Sequence, residues 1–292
     1  MYIQQSYRDE IEGCLYLVPT PIGNLQDMTF RAVDVLKEAD VIAAEDTRHT
    51  KKLCHVFSIN TPLISYHEHN KRDREDELVE RVKKGEKVAL VSDAGMPAIS
   101  DPGADLVARF YKEELPVIPL PGANAALTAL ISSALPTDKF TFIGFLDRKK
   151  KDRNAALNEI KNEDSTLIFY ESPHRLKETL NAISSELGNR QMALCRELTK
   201  QFETIIRGSV EEILSFIEAE GVKGECVIIV EGITEKEKVA LETDMSWWNS
   251  LSVVEHVNVY INDGKSSKEA IAQTAKDRGL KKRDVYQAYH IN

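Results

Sequence analysis

Residues 88–103 read Val88-Ala89-Leu90-Val91-Ser92-Asp93-Ala94-Gly95-Met96-Pro97-Ala98-Ile99-Ser100-Asp101-Pro102-Gly103. The first four form a short, wholly apolar run, the pattern of a strand buried in a parallel sheet. The rest combines small residues, two prolines and two aspartates where the chain should re-enter a helix. Ligands of parallel sheets sit beyond the carboxyl ends of the strands, and small residues let main-chain amides and carbonyls approach them. Asp93 and Asp101 are able to accept hydrogen bonds from a ligand's hydroxyl or amino groups. For Asp101, directly before Pro102, helix capping is the stronger reading.

The same alternation extends outward in both directions. Strand-like runs occur at Leu15–Val18, Val41–Ala44, Leu63–Ser65 and Val117–Leu120, then at Phe140–Ile143, Thr166–Tyr170, Met192–Cys195 and Cys226–Val230. Between them lie apolar residues at helical spacing, such as Phe30, Val33, Leu36 and Leu78, Val79, Val82. This predicts an α/β fold with mostly parallel sheets covered on both faces. Pro119-Leu120-Pro121-Gly122 marks the break between an N-terminal α/β domain (1–120) and a second one (121–232).

Residues 233–292 read as an acidic linker and a small helical C-terminal domain. Glu231 to Asp263 holds seven acids and two bases, with Trp247-Trp248 as an anchor. Ser266 and Glu269 have capping-box spacing, and Gly279 suits the end of that helix. A second helix would carry Val285, Tyr286 and Tyr289 on one face. The outline is helix-turn-helix, read as a packing or RNA-contact appendage rather than a DNA reader.

The composition narrows the function classes. No stretch of the 292 residues is long and apolar enough to span a bilayer. The first twelve residues are polar, without the pattern of a secretory signal. Four scattered cysteines (Cys14, Cys54, Cys195, Cys226) form no CxxC pair and are expected to be core thiols. These features lead to the expectation of a cytoplasmic protein with no membrane partner. The net charge of −9 argues against a grip on bare nucleic acid through phosphates, so any RNA contact must come from local patches.

Further motifs follow other strands. Thr20-Pro21-Ile22-Gly23-Asn24-Leu25 is neither GxGxxG nor a phosphate-binding GK[ST] loop, which removes support for dinucleotides and triphosphates. Glu45-Asp46-Thr47-Arg48-His49, Tyr170-Glu171-Ser172-Pro173-His174-Arg175 and Arg196-Glu197-Leu198-Thr199-Lys200 all fall just past strand ends. Each alone suits a capped helix start, but their shared placement points to one cleft. His67 and His69 have metal-ligand spacing without an evident third ligand, so no metal is expected.

The set TPIGNL, AAEDTRHT, ISYHEHN, SDAG-P-ISDPG, LPTDKF, RKKK, IFYESPHR, RELTK and KGE, in order from about residue 13 to residue 232, resembles the ribosomal RNA small-subunit 2′-O-methyltransferase I family. That family has the tetrapyrrole methylase fold. Met96 stands where it usually has Thr, Ala98 where it usually has Gly, and Asp147 where Pro is common. The resemblance implies two α/β domains flanking a cleft that binds S-adenosyl-L-methionine through Pro21, Asp93, Ala94, Gly95, Ile99, Ser100, Ser133 and Tyr170. It also implies a homodimer acting on 16S rRNA of the small ribosomal subunit, at a cytidine ribose of the decoding centre. Such a reaction needs a base for a weakly acidic hydroxyl and no metal. Asp46, His49, Glu171 and Glu197 are the candidates, and the sequence does not choose among them. Arg48, Arg175, Arg196 and Lys200 would hold flanking phosphates. The run Arg148-Lys149-Lys150-Lys151-Asp152-Arg153 is a further phosphate contact or a solvated face. Alternatives are a same-fold methylase of a tetrapyrrole or protein substrate, or a non-catalytic ribosome-assembly factor.

Overall fold

Val88–Val91 falls in the central strand of a five-stranded sheet. The computed structural model describes residues 2–6, 12–67, 70–235, 237–238 and 247–290. The chain divides into two compact units, Met1–Gly232 and Ile233–Asn292. The first sheet contains β1 (Cys14–Leu17), β2 (Val41–Ala44), β3 (Leu63–Ser65), β4 (Lys87–Val91) and β5 (Val117–Pro119). Its order is β3-β2-β4-β1-β5, and every pairing is parallel.

The continuous apolar strands follow from burial of both faces. Ile42, Ala44, Ala89 and Val91 pack on one side with Ala32 and Leu36 of α1 (Phe30–Glu38) and Cys54 of α2 (Thr47–Val56). Val41, Ala43, Val88 and Leu90 pack on the other with Leu78, Val79 and Val82 of α3 (Lys71–Lys83) and Leu106 and Phe110 of α4 (Ala104–Lys112). Phe30, expected on the apolar face of α1, is instead 93% exposed, and Ala32 takes the inward position. As the first residue after the cap Thr29, Phe30 sits ahead of the turn that meets the sheet.

The second sheet corrects the expectation of mostly parallel pairing. It contains β6 (Phe140–Phe145), β7 (Thr166–Glu171), β8 (Gln191–Arg196), β9 (Thr204–Ser209) and β10 (Cys226–Val230), in the order β6-β7-β10-β8-β9. Only β6 and β7 pair in parallel; β10 is antiparallel to β7 and β8, and β9 to β8. The cause is local. β8 returns through the short turn 197–203 directly into β9, and so short a link permits only antiparallel pairing. The apolar pattern of the sequence does not announce β9.

α5 (Ala125–Ser132) packs on one face of this sheet through Ala126, Ala129 and Leu130. The other face meets α6 (Lys150–Glu159), α7 (Leu176–Leu187) and α8 (Val210–Glu220). All four cysteines are buried free thiols.

The C-terminal unit includes the helices α9 (Val253–Asn262), α10 (Ser267–Asp277) and α11 (Lys282–His290). α9 lies in the stretch read as linker. Ser252 and Glu255 form a capping box, and Val257 is fully buried. The Ser266–Glu269 box is present, and Gly279 takes a φ of 63° after α10. Val285 is buried and Tyr289 packs beside it, but Tyr286 points outward and is 53% exposed. Among the described residues no helix is long and apolar enough to cross a membrane.

Candidate active site

The loops after β1 and β4 are joined by main-chain hydrogen bonds. Thr20 and Gly95 exchange N–H···O bonds of 2.9 Å in both directions, an antiparallel bridge beyond the parallel sheet. The Thr20 hydroxyl donates to the Ser92 carbonyl at 3.1 Å. Gly95 has a φ of 77°, which a residue without Cβ adopts freely. Ala98 and Ser100 also occupy the left-handed region, at 68° and 62°. The conformation at 98 is one that glycine accommodates without strain.

The second sheet closes over these loops through glycines. A Cβ on Gly23 would lie 2.4 Å from Lys200 Cγ, so only glycine lets the first loop rest against the 198–200 turn. Ser100 Oγ sits 3.3 Å from the position a Cβ on Gly144 would take. Tyr170 contacts Phe142 and Phe145 edge-on, with centroids 5.0 and 5.6 Å apart. Asn124 caps α5 by accepting from Leu127 N–H at 2.9 Å, and its Nδ2 lies 3.4 Å from Met96 Sδ.

Between these parts is a cavity of about 590 Å³. Ile22, Asp93, Ala94, Gly95, Met96, Ile99, Ser100 and Asp101 border it from the first sheet's loops, followed by Asn124 and Ala125. Phe145, Tyr170, Glu171, Glu197, Lys200 and Gly224 to Val227 border it from the second. A more open depression of about 850 Å³ lies at Gly13, Gly85 and Pro116, just before β1, β4 and β5. That is the amino end of the sheet, where ligands of parallel sheets do not sit.

The charged groups are heavily paired. Glu171 is buried; it accepts from Ser172 N–H and the Thr179 hydroxyl at 2.7 Å, and Arg175 Nη2 lies 3.3 Å away. Glu197 Oε1 accepts from Lys200 Nζ and from Glu225 N–H, both at 3.0 Å. The Lys200 ammonium holds the Glu197 carboxyl below the usual carboxylate range. Lys200 also reaches Glu225 Oε2 at 2.9 Å. Burial pushes the Cys226 thiol up to about 12, which leaves it un-ionised at neutral pH.

Of the residues expected to hold the cofactor, Asp93, Ala94, Gly95, Ile99, Ser100 and Tyr170 meet at this cavity, and Pro21 and Ser133 do not border it. Ser133 is buried after α5; its hydroxyl donates to the Leu130 carbonyl at 2.8 Å and accepts from Leu135 N–H at 3.0 Å. Among the base candidates, Glu171 and Glu197 face the cavity, while Asp46 and His49 lie outside its lining. Asp46 caps α2 and binds Arg48, whose guanidinium holds the carboxyl well below its usual range. His49 is exposed.

The expected phosphate contacts separate into two groups. Arg148, Lys149, Lys150 and Lys151 are exposed, and so is Arg48. Arg175 donates to the Leu146 carbonyl at 2.7 Å and Arg196 to the Lys223 carbonyl at 3.0 Å, so both work within the chain. Arg153 does not extend the exposed basic run; it is buried, with Nη1 3.4 Å from Glu178. His69 lies outside the described residues. Among the described residues no cluster of ligating side chains suits a metal.

Two carboxylates of the strand-end motifs, outside the base candidates, share a further cavity. Glu45 and Asp101 border a second cavity, about 390 Å³, with Tyr66, Lys71 and Asp105. Burial, then Asp101 and Asp93, push the Glu45 carboxyl up, and burial does the same to Asp101. Glu45 directly follows β2, the strand-end placement that drew attention to its cluster and to Asp93 after β4.

Comparison with known proteins gives consistent results. The profile of the Tetrapyrrole (Corrin/Porphyrin) Methylases matches residues 14–214. A protein of Halalkalibacterium halodurans named ribosomal RNA small subunit methyltransferase I is 58% identical, over 99% of both chains. The protein of that name from Bacillus subtilis is 54% identical, over 96% of this chain and 94% of its own. Among solved structures, a uroporphyrin-III C-methyltransferase from Thermus thermophilus aligns with a TM-score of 0.54 at 20% identity, covering 75% of this chain and 94% of its own. A diphthine synthase aligns with a TM-score of 0.60 at 15% identity, covering 76% and 90%. At those identities the structures speak for the fold alone.

Proposed function

The chain belongs to the ribosomal RNA small subunit methyltransferase I family of the tetrapyrrole methylases, and we propose that it transfers a methyl group from S-adenosyl-L-methionine to the 2′-hydroxyl of a cytidine ribose in 16S rRNA, at the decoding centre. The observation that carries this reading is the cavity at the carboxyl ends of β1 and β4, bordered by Asp93 to Ser100 and closed by Tyr170. Its volume lies within the range of about 300–1,000 Å³ usual for small-ligand sites. The donor set fits the methyl donor. Asp93 offers a carboxylate to hydroxyl or amino groups, Phe145 and Tyr170 offer aromatic surface to a cation or an adenine, and the loop after β1 is not a phosphate-binding GK[ST] loop. When bound, S-adenosyl-L-methionine supplies a methyl group already activated on a sulfonium.

The chain's own part is then to bind, align and take up a proton. Asp93, Gly95, Met96, Ile99, Ser100 and Tyr170 would hold the donor. The exposed run Arg148 to Lys151 and Arg48 would meet RNA phosphates, with Lys200 at the cavity itself. With a net charge of −9 and basic residues in short stretches, the chain suits docking on a preshaped surface better than wrapping a free strand. The substrate is therefore the assembled or nearly assembled small subunit, met in the bacterial cytoplasm by a homodimer. The test offers unmethylated subunits and protein-free 16S transcript in parallel, with labelled donor and mapping of the product nucleotide. Label on a 2′-oxygen of the subunit RNA is expected. Label elsewhere, or faster labelling of the naked transcript, would overturn the corresponding part.

A further inference from the structure

The carboxylates around the large cavity differ in how far they are already engaged. Glu171 is held by Ser172, Thr179 and Arg175; Glu197 by Lys200 and Glu225 N–H; Glu225 by Lys200. Asp93 Oδ1 accepts from Asp46 N–H at 3.1 Å. Asp101 has the Ser92 hydroxyl as a side-chain hydrogen-bond partner. It is half-buried, and it borders both the 590 Å³ and the 390 Å³ cavities; Ser100 is the other residue common to both linings.

A methyl transfer in line with the breaking bond must take place where donor and acceptor meet. If the larger cavity holds the donor, the acceptor sugar approaches from a space that opens onto it. We propose that Asp101 is the proton acceptor of the reaction, standing at the junction of a donor cavity and an acceptor cavity that receives the target ribose. The assignment rests on the methyltransferase reading above.

In the step, the ribose oxygen bonds to the methyl carbon as the carbon–sulfur bond breaks, and that electron pair stays on sulfur. The hydroxyl proton passes to an Asp101 oxygen and from there to water, leaving a neutral thioether and a methyl ether. Burial raises the basicity of Asp101, which suits it to a weakly acidic hydroxyl better than the depressed Glu197. The groups around it are Glu45 after β2, Asp93 after β4, Tyr170 on β7, and Lys71 and Asp105 from α3 and α4 across the smaller cavity.

The experiment compares wild type, Asp101→Asn and Asp101→Glu on unmethylated small subunits under single-turnover conditions. Calorimetry with S-adenosylhomocysteine reports binding separately. The Asn variant is expected to bind that probe within about threefold of wild type and to lose about 100-fold or more in rate, the scale of a lost general base. The Glu variant should recover part of the rate. The wild-type rate should fall on the acid side of neutrality, and the Asn variant should lose that limb. Isotope-edited infrared spectra should show a carboxyl band that protonates above the usual aspartate range and is missing in Asp101→Asn. An Asn variant as fast as an active wild type overturns the assignment alone, as does a wild-type rate that does not fall in acid. A wild type that methylates no subunit RNA overturns the functional reading and this assignment with it.

Discussion

Gly224 leaves the space that the Glu197 carboxylate fills: a Cβ at residue 224 would come within 2.4 Å of the Glu197 carboxyl carbon. Two separate motifs, RELTK and KGE, are therefore one structure, fastened by the bond from Glu225 N–H to Glu197 Oε1. Gly224→Ala should push the carboxylate aside and force a non-glycine residue to a φ of 88°. We expect a stability loss of about 1–2 kcal/mol from the backbone alone and weaker S-adenosylhomocysteine binding. Urea denaturation and calorimetry check the two effects; an unchanged value in both would mean that the turn rearranges freely.

Asp93→Ala should weaken methyl-donor binding while the protein stays folded. Losing one buried hydrogen bond to a ligand costs about 1–3 kcal/mol, or roughly 5- to 150-fold in affinity. The Asp46 amide also loses its partner, so a small drop in melting temperature should accompany the binding defect. Calorimetry showing wild-type affinity would place the donor elsewhere.

Replacing Arg148, Lys149, Lys150 and Lys151 together with Ala should spare donor affinity, because all four are exposed and none borders the cavity. Subunit binding should weaken, and its salt dependence should flatten by about one unit of log–log slope for each phosphate no longer neutralised. An unaltered slope would return the run to a solvated face at the start of α6.

The C-terminal unit should lose stability in mild acid. His256 is fully buried; its Nδ1 accepts from Arg278 Nε at 3.0 Å, and its ring stacks on Trp248 at 5.2 Å. Burial, reinforced by the Arg278 charge, holds its pKa below the ordinary imidazole value, against a weaker opposing pull from Asp277. The unfolded chain therefore binds this proton first. The stabilisation is present above about pH 6.5 and is lost as pH falls from there toward the folded value. The urea midpoint followed by tryptophan fluorescence should drop over that window, and His256→Gln should flatten the drop. A midpoint independent of pH in the wild type would contradict the buried neutral state.

Much of the first sheet was legible because each strand is apolar on both faces. Val41–Ala44 and Leu63–Ser65 begin and end where the sequence pattern places them. The second sheet was harder to read. Thr204–Ser209 is an edge strand, only partly buried over most of its length, so its alternation is faint. Nothing local in Cys226–Val230 states that it lies between β7 and β8. α9 was hidden by acidic composition, although Ser252 and Glu255 have the same spacing that revealed α10. Position at or just past a strand end brought Asp93, Tyr170 and Lys200 to the lining of one cavity. It could not tell which carboxylates are spent on structure, because the Thr179 hydroxyl that engages Glu171 is eight residues away on α7. Asp101 was obscured by its own neighbour: the proline after it suggested a local cap, whereas its surroundings are non-local.

The Thr20–Gly95 bridge sets part of the large cavity's floor, at Gly95, through peptide groups rather than side chains. Every non-proline residue carries the same amide and carbonyl, so substitutions in these loops leave that floor in place if the backbone angles are tolerated. Met96 borders the cavity on such a frame, and Ala98 belongs to it at a φ of 68°. The side chains above the floor and around its rim are then free to drift while the main-chain frame beneath them is kept. A chain built this way can change what meets the cavity's rim without rebuilding its base.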